Sequence, residues 1–457
     1  MTAYDSAVTA YDAVVIGAGI IGCAAALELS RDGLRVLCVD AGPAAGAGST
    51  GASSAIIRFH YSDLTAVSAA WDSSFDWTGW SDYLGLPGGE PLARYITTGA
   101  LVLDSPDARR AETLGYLGQL GIEFEELSAA EIRKRFPEIS TTCYGPPAIP
   151  EDAGFWRDGH GDLGGYLIPD AGYMDDPQLA ARNLMQAAVR AGARFRFGAL
   201  VERVIVAGGR VAGVELTGGR VAFGGELGGG GPVAGGEIVH APVVVNAAGP
   251  ASDRLNQIAG VTGDMAVRSR ALRTETHEIP APPGFRTGAG GVFVTDLDLG
   301  VAFRPHGQDR LHISCVEPEC DPLDWVEDPW SFDTAVTQRV YDRQTLRAGR
   351  RMPGLAIPPR PVGIGALYDV TPDWRPIFDR SALPGFYLAC GTSGNCFKIA
   401  PLAGRIVSAL VRGCESGRDH DKDPLSLALP RFNSAISLGY YSRLRAVPGD
   451  APRNVIA

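Results

Sequence analysis

Short apolar runs alternate with helical stretches from the head of the chain. Residues 13–17 (AVVIG) form a β-branched run of the kind a buried parallel strand needs, because such a strand is covered on both faces. An Ala- and Leu-rich helical pattern follows over residues 20–31 and closes at Gly33. The next strand is residues 35–40 (RVLCVD). Strand, helix and strand in this order make one βαβ unit.

Beyond it, the pattern predicts a helix over 63–83, a strand over 95–103 and helices over 107–120 and 128–136. Ser128 and Glu131 give the last of these a capping box. A turn at Gly172 leads into a long helix ending near residue 190. Residues 194–197, 200–206 and 210–216 read as strands of a meander. Residues 224–236 read as a glycine-rich hairpin tip, and residues 237–248 as returning strands. Residues 271–316 alternate apolar and polar, as half-buried antiparallel strands do, and a helix over 333–348 follows. The block 362–410 reads as strand, loop, strand, glycine-rich turn and a helix from Ile399. No regular pattern continues past Cys414, and no repeat is visible.

A chain of 457 residues exceeds one compact core, so two domains, or one with an inserted lobe, are expected. The net charge of −11 argues against nucleic acid as a partner, since polyanions are met by basic surfaces. None of the eight cysteines forms a CxxC pair, and zinc spacings are missing, so reduced thiols and no metal are expected. The N-terminus carries no Lys or Arg before its first apolar run, unlike a signal peptide. No apolar run reaches the length of a membrane span, about 18 residues. A cytoplasmic location is the expectation.

Candidate chemistry begins with Gly17, Gly19 and Gly22, a GxGxxG between a predicted strand and a predicted helix that opens at Ile20. Gly17 permits the tight turn, Gly19 lets backbone N–H groups reach a pyrophosphate, and Gly22 allows close helix–sheet packing. The helix start turns its positive end to the phosphates. Asp40, at the end of the second strand, is placed to accept from an adenosine ribose. The fingerprint alone leaves NAD and FAD open.

The stretch 41–63 (AGPAAGAGSTGASSAIIRFHYSD) resembles the FAD-dependent amino acid and amine oxidoreductases, the family of D-amino acid oxidase, glycine oxidase and sarcosine oxidase. SAAEIRKRFPEI (128–139), GYMDDPQLA (172–180), VVVNAAG (243–249), LYDVTPDWRPIFD (367–379) and GFYLACGTSGNCFKIAPLAG (385–404) resemble further blocks of it. The likeness implies an α/β fold. Its discontinuous Rossmann-type, glutathione-reductase-like FAD domain would comprise residues 1–94, 165–268 and 360–415. An α+β substrate lobe on an antiparallel sheet would comprise 95–164 and 269–359, followed by a tail, 416–457. It also implies FAD contacts at Ala41, Ser49, Thr50, Ser53, Ser54, Val201, Ala248, Gly249, Gly391, Gly394, Asn395 and Lys398, beside Gly17, Gly19, Ile20, Gly22 and Asp40.

IIRFHY around Arg58 and CFKIAP around Lys398 are closest to the sarcosine and N-methyl amino acid oxidases. The resemblance implies that Arg58 and Lys398 hold a substrate carboxylate, one as a planar fork and one as a point charge. Hydride would then leave the carbon beside nitrogen for flavin N5, giving an imine that hydrolyses. His60, Tyr61 and Phe303 are candidates for the pocket wall. Backbone N–H groups of 391–394 are candidates for stabilising the reduced flavin. A loose match places His312 where relatives carry a lysine that favours reaction with O2, a role needing a protonated ring. The residues 365–369 lack the cysteine that sarcosine oxidases link to FAD, so non-covalent FAD is expected. The acceptor, O2 or an electron carrier, stays open. A hydroxy-acid or glycerol-phosphate-type dehydrogenase, a FAD-binding subunit of a larger amine dehydrogenase, and an NAD enzyme remain alternatives.

Overall fold

The structure, a computed structural model, describes residues 10–86, 89–105, 109–218, 236–447, 449 and 454. All of the expected glycine-rich hairpin tip except Gly236 lies outside them. The opening apolar run forms the strand Ala13–Ile16, buried throughout. It sits inside a six-stranded sheet in the order Ile377–Arg380, Phe386–Cys390, Val243–Asn246, Ala13–Ile16, Val36–Val39, Arg194–Arg196. All neighbours are parallel except the edge strand Ile377–Arg380.

Both faces of this sheet are covered, which is why its central strands Ala13–Ile16 and Val36–Val39 are apolar at every position. Ala13 and Val15 pack with the helices Ile20–Arg31, Pro177–Arg190 and Ala400–Glu415. Val14 and Ile16 point the other way, into a core with Val201 and Val214 of the meander Ala199–Ala207, Arg210–Gly218, Glu237–His240. Each such side chain contributes roughly 1.5–3 kcal/mol by leaving water.

A nine-stranded sheet forms the second unit. Its pairs are antiparallel except where Ala100–Leu103 runs parallel to Phe293–Asp296. The helix Gln338–Arg351 covers one face, over Ile279, Phe303 and Ile313. The other face, with Ala100, Val102, Tyr166, Phe293 and Ala302, joins the core of the first unit.

Several elements differ from the sequence pattern for local reasons. The helix expected over 63–83 is two, Leu64–Thr78 and Trp80–Leu84, parted at Gly79. The strand expected over 95–103 splits at Gly99, whose φ of +75° turns the chain between sheets. Tyr95–Thr97 pairs with Gly172–Met174, while Ala100–Leu103 enters the large sheet. The helix expected from residue 333 starts at Gln338, because Thr337 caps it by accepting from the Val340 N–H. Gly165–Ile168 and Gly363–Val370 belong to the large sheet, although the expected boundaries grouped them with the FAD domain. Within the tail, Ser426–Leu429 pairs with Ser434–Ser437. Leu429, Ile436, Leu438 and Tyr441 insert into the first core.

Candidate active site

A cavity of about 530 Å³ opens beyond the C-terminal ends of Ala13–Ile16 and Val36–Val39. Gly17, Gly19, Asp40, Ala41, Ser49, Thr50, Val201, Ala248 and Gly249 line it, with Arg254 and Trp330, which the sequence reading did not single out. The three glycines have separate causes. Gly17 has φ +104°, and a Cβ there would stand 2.2 Å from the Ala247 carbonyl oxygen. A Cβ on Gly22 would stand 1.8 Å from the Gly17 oxygen. A Cβ on Gly19 would meet only Thr50 Oγ1, at 3.2 Å. Gly19 is therefore the one that the protein's own packing does not require, and it faces the cavity.

Asp40 shapes the turn: its carboxylate accepts from the Ala18 N–H at 2.5 Å and the Gly42 N–H at 2.6 Å. Burial raises its pKa, opposed by these two donors. Thr50 Oγ1 accepts from the Ile20 N–H (3.0 Å), and Ser49 donates to the Leu367 carbonyl (2.6 Å). Ile20, Gly22, Ser53, Ser54, Gly391, Gly394, Asn395 and Lys398 do not line this cavity. Ser53 instead accepts from the Ala55 N–H.

Arg58 and Lys398 come together at a separate point. Both are nearly fully buried. Arg58 Cζ stands 4.0 Å, and Lys398 Nζ 5.6 Å, from the centre of the Tyr61 ring. Arg58 donates to the His60 carbonyl, and Lys398 to that of Asn395 (2.5 Å). Burial and the Arg58 charge drive the Lys398 pKa well down, and the other group acting on it is the Cys396 thiol, not a carboxylate. Burial, Arg58 and Lys398 together hold His60 far below its usual range, so it is neutral, with Nε2 3.0 Å from Thr295 Oγ1. A region with two buried basic groups favours an anion, which restores the charge of Lys398 beside Arg58.

His312 lies on the large sheet, opposite Arg304 in register. Burial pushes its pKa down to about 4, and the charges acting on it are Glu278, Arg304 and His306, not Arg58 or Lys398. A ring neutral at pH 7 does not supply the fixed positive charge expected of it. Arg304, which sequence reading missed, is fully buried over the Tyr173 ring, 3.8 Å from its centre. Its Nε and Nη2 donate to the Ser54 carbonyl at 3.1 and 2.9 Å, tying the sheet to the glycine-serine loop. Phe303, a candidate for the pocket wall, packs instead under the covering helix, 5.9 Å from the Phe285 ring.

The loop after Cys390 is also differently employed. Its Gly391 and Thr392 N–H groups donate to the Asp369 carboxylate, at 2.5 and 2.9 Å, and the Ser393 N–H donates to the Asp369 carbonyl. These three donors are consumed within the protein. Burial raises Asp369 to about 6 despite them. Further support comes from the tail. Arg445 clamps Asp373 with two bonds of 2.8 Å, and Asn395, which accepts from Lys398, donates to the neighbouring Trp374 carbonyl (3.4 Å). Arg431 holds Asp76 (2.7 Å) on the helix whose Trp77 donates to the Lys398 carbonyl (2.6 Å). Pairs this distant in sequence leave no local signature.

Residues 12–410 match the family model described as DAO, FAD dependent oxidoreductase. The chain belongs to this family. It is thus a FAD-dependent oxidoreductase, and the cradle fits that cofactor: a cavity of ligand size, a helix N-terminus, an open glycine and a terminal acid. No match is found among the curated proteins. Among solved structures, the chain is similar to L-proline dehydrogenase from P. horikoshii, with 18% identity and TM-score 0.69 over 95% of this chain and 97% of that one. It is similar to glycine oxidase from Geobacillus kaustophilus, with 19% identity and TM-score 0.67 over 96% and 99%. Iminodiacetate oxidase from Chelativorans sp. BNC1 gives 21% identity and TM-score 0.61 over 92% and 98%. Among the described residues, no helix is long and apolar enough to cross a membrane.

Proposed function

We propose that this DAO family member oxidises the C–N bond of a small anionic amine or amino acid, secondary or N-methylated, to an imine that hydrolyses. The observation that carries this reading is the convergence of buried Arg58 and Lys398 on Tyr61. The solved structures of similar fold, named for proline, glycine and iminodiacetate, support it: each substrate pairs a carboxylate with an oxidisable C–N bond.

Bound FAD supplies the two-electron oxidant. The chain supplies the rest. Arg58 offers the planar fork for a carboxylate and Lys398 a second charge. Neutral His60 braces the Arg58 segment against Thr295. On the sheet side, Arg304 is the permanent charge beside His312. The stretch 365–369 holds no cysteine where linked relatives carry one, so FAD is held without a covalent bond. Acid precipitation should then leave a colourless pellet.

The test is anaerobic flavin bleaching with N-methylglycine, proline, glycine and iminodiacetate, against 2-hydroxy acids and uncharged amines. Bleaching by one or more of the anionic amines alone is expected. Bleaching only by 2-hydroxy acids would overturn the reading.

A further inference from the structure

A second cavity, of about 330 Å³, lies at the start of the helix Gln338–Arg351. Strand alternation sets it on the helix-covered face of the large sheet. Cys315, which lines it, shares a side of its strand with Ile313, beneath the helix. His312 lies on the other side of that strand.

Three side chains of this cavity carry a polar atom with no hydrogen-bond partner among the described residues: Glu317 Oε2, Arg343 Nε and Gln344 Oε1. They are 7%, 6% and 2% exposed, so bulk water does not satisfy them. Buried polar atoms are almost always bonded, and three around one cavity mark a place built for something. Glu317 also holds φ +51°, a left-handed conformation uncommon outside glycine. Neighbouring charges are already used. Asp321 pairs with Arg347 at 2.7 Å and with Arg343 Nη1 at 3.3 Å, which leaves the Arg343 Nε open, and Glu275 pairs with Arg273 at 2.8 Å. Gln344 is fixed, because its Nε2 donates to the Glu275 carbonyl (3.0 Å). Burial and Asp321 raise Glu317 to about 8.

The open valences define the ligand. Arg343 has an N–H to give, which suits a carboxylate oxygen. Gln344 has an oxygen that requires a hydrogen-bond donor, and Glu317 offers a second oxygen nearby. One small molecule that bears a carboxylate and an N–H-bearing nitrogen meets all three. We infer that this cavity is a second binding site, separate from the Arg58–Lys398 centre, for a small zwitterionic amino acid. An oxo acid lacks the N–H donors and leaves Gln344 unmet.

The test is equilibrium dialysis of the FAD-loaded Arg58→Ala protein, under nitrogen, with glycine, L-alanine, L-proline and N-methylglycine, and with pyruvate as the oxo acid. At least one amino acid should bind, and pyruvate should not. Added to this background, Leu323→Trp, which fills the cavity from its exposed rim without removing a polar bond, should weaken binding at least tenfold. Gln344→Met should do the same. No amino acid binding, equal binding of pyruvate, or binding indifferent to both substitutions would overturn the inference. Flavin bleaching of the unsubstituted protein reports the oxidation centre alone, so failure there is distinguishable from failure here.

Discussion

Lys398 and Arg58 address one aromatic ring, their charged groups 5.6 and 4.0 Å from the centre of Tyr61. The ring's π face tempers two like charges that burial would otherwise punish. An arriving carboxylate relieves both. Arg58→Ala should raise KM or the dissociation constant at least thirtyfold, about 2 kcal/mol or more, while the flavin stays bound. Lys398→Met should weaken substrate about tenfold, or about 1.4 kcal/mol. Steady-state kinetics with flavin absorbance checks both. Loss of flavin from the Lys398 variant with unchanged substrate affinity would reassign that residue to the cofactor.

The glycines of the opening turn should separate folding from cofactor binding. Gly17→Ala forces a Cβ against the Ala247 carbonyl in a conformation that alanine avoids, and should lower the melting temperature sharply. Gly19→Val meets little protein and should fold, yet emerge largely free of FAD. Melting curves and flavin content per chain read the two effects.

His277 is fully buried, its Nε2 3.7 Å from a Glu275 oxygen, and burial, opposed by the Val362 backbone, pushes its pKa down to about 4. Its unfolded value is about 6.5. Between these values the unfolded chain binds a proton that the folded chain refuses, so stability falls as pH falls. The contribution is present above about 6.5 and is lost through 4, amounting to about 3 kcal/mol. His277→Leu should make the dependence of urea unfolding on pH less steep across that window, leaving the share of His60 and His312.

Arg443 joins the tail to buried Asp379 (3.1 Å), to Asp264 (2.7 Å) and to Asp421 (2.8 Å). Removing one partner of a buried ion pair leaves an uncompensated charge. Arg443→Ala should therefore cost about 3–5 kcal/mol, seen as a large loss in denaturant midpoint.

What could be read from sequence was what local chemistry decides. Gly17, Gly19, Gly22 and Asp40 lie within one βαβ unit, and Ser128 caps its helix with Glu131 as expected. Arg58 and Lys398 were found only through resemblance, since nothing near either shows that they meet. Arg304 escaped because its partners, Ser54 and Tyr173, depend on the packing of distant segments. The tail escaped likewise: its arginines answer aspartates at 72, 76, 264, 373 and 379. A glycine-rich loop resembling a flavin contact proved to be occupied by Asp369, which only the folded backbone reveals.

The six-stranded sheet has a consequence for biosynthesis. Ala13–Ile16 pairs with Val243–Asn246, which pairs in turn with Phe386–Cys390. Ala13–Ile16 therefore carries an open apolar edge until residue 243 emerges, an interval in which nascent chains are prone to aggregate. The nucleotide cradle needs residues as late as Trp330, so flavin loading must wait until that residue has emerged.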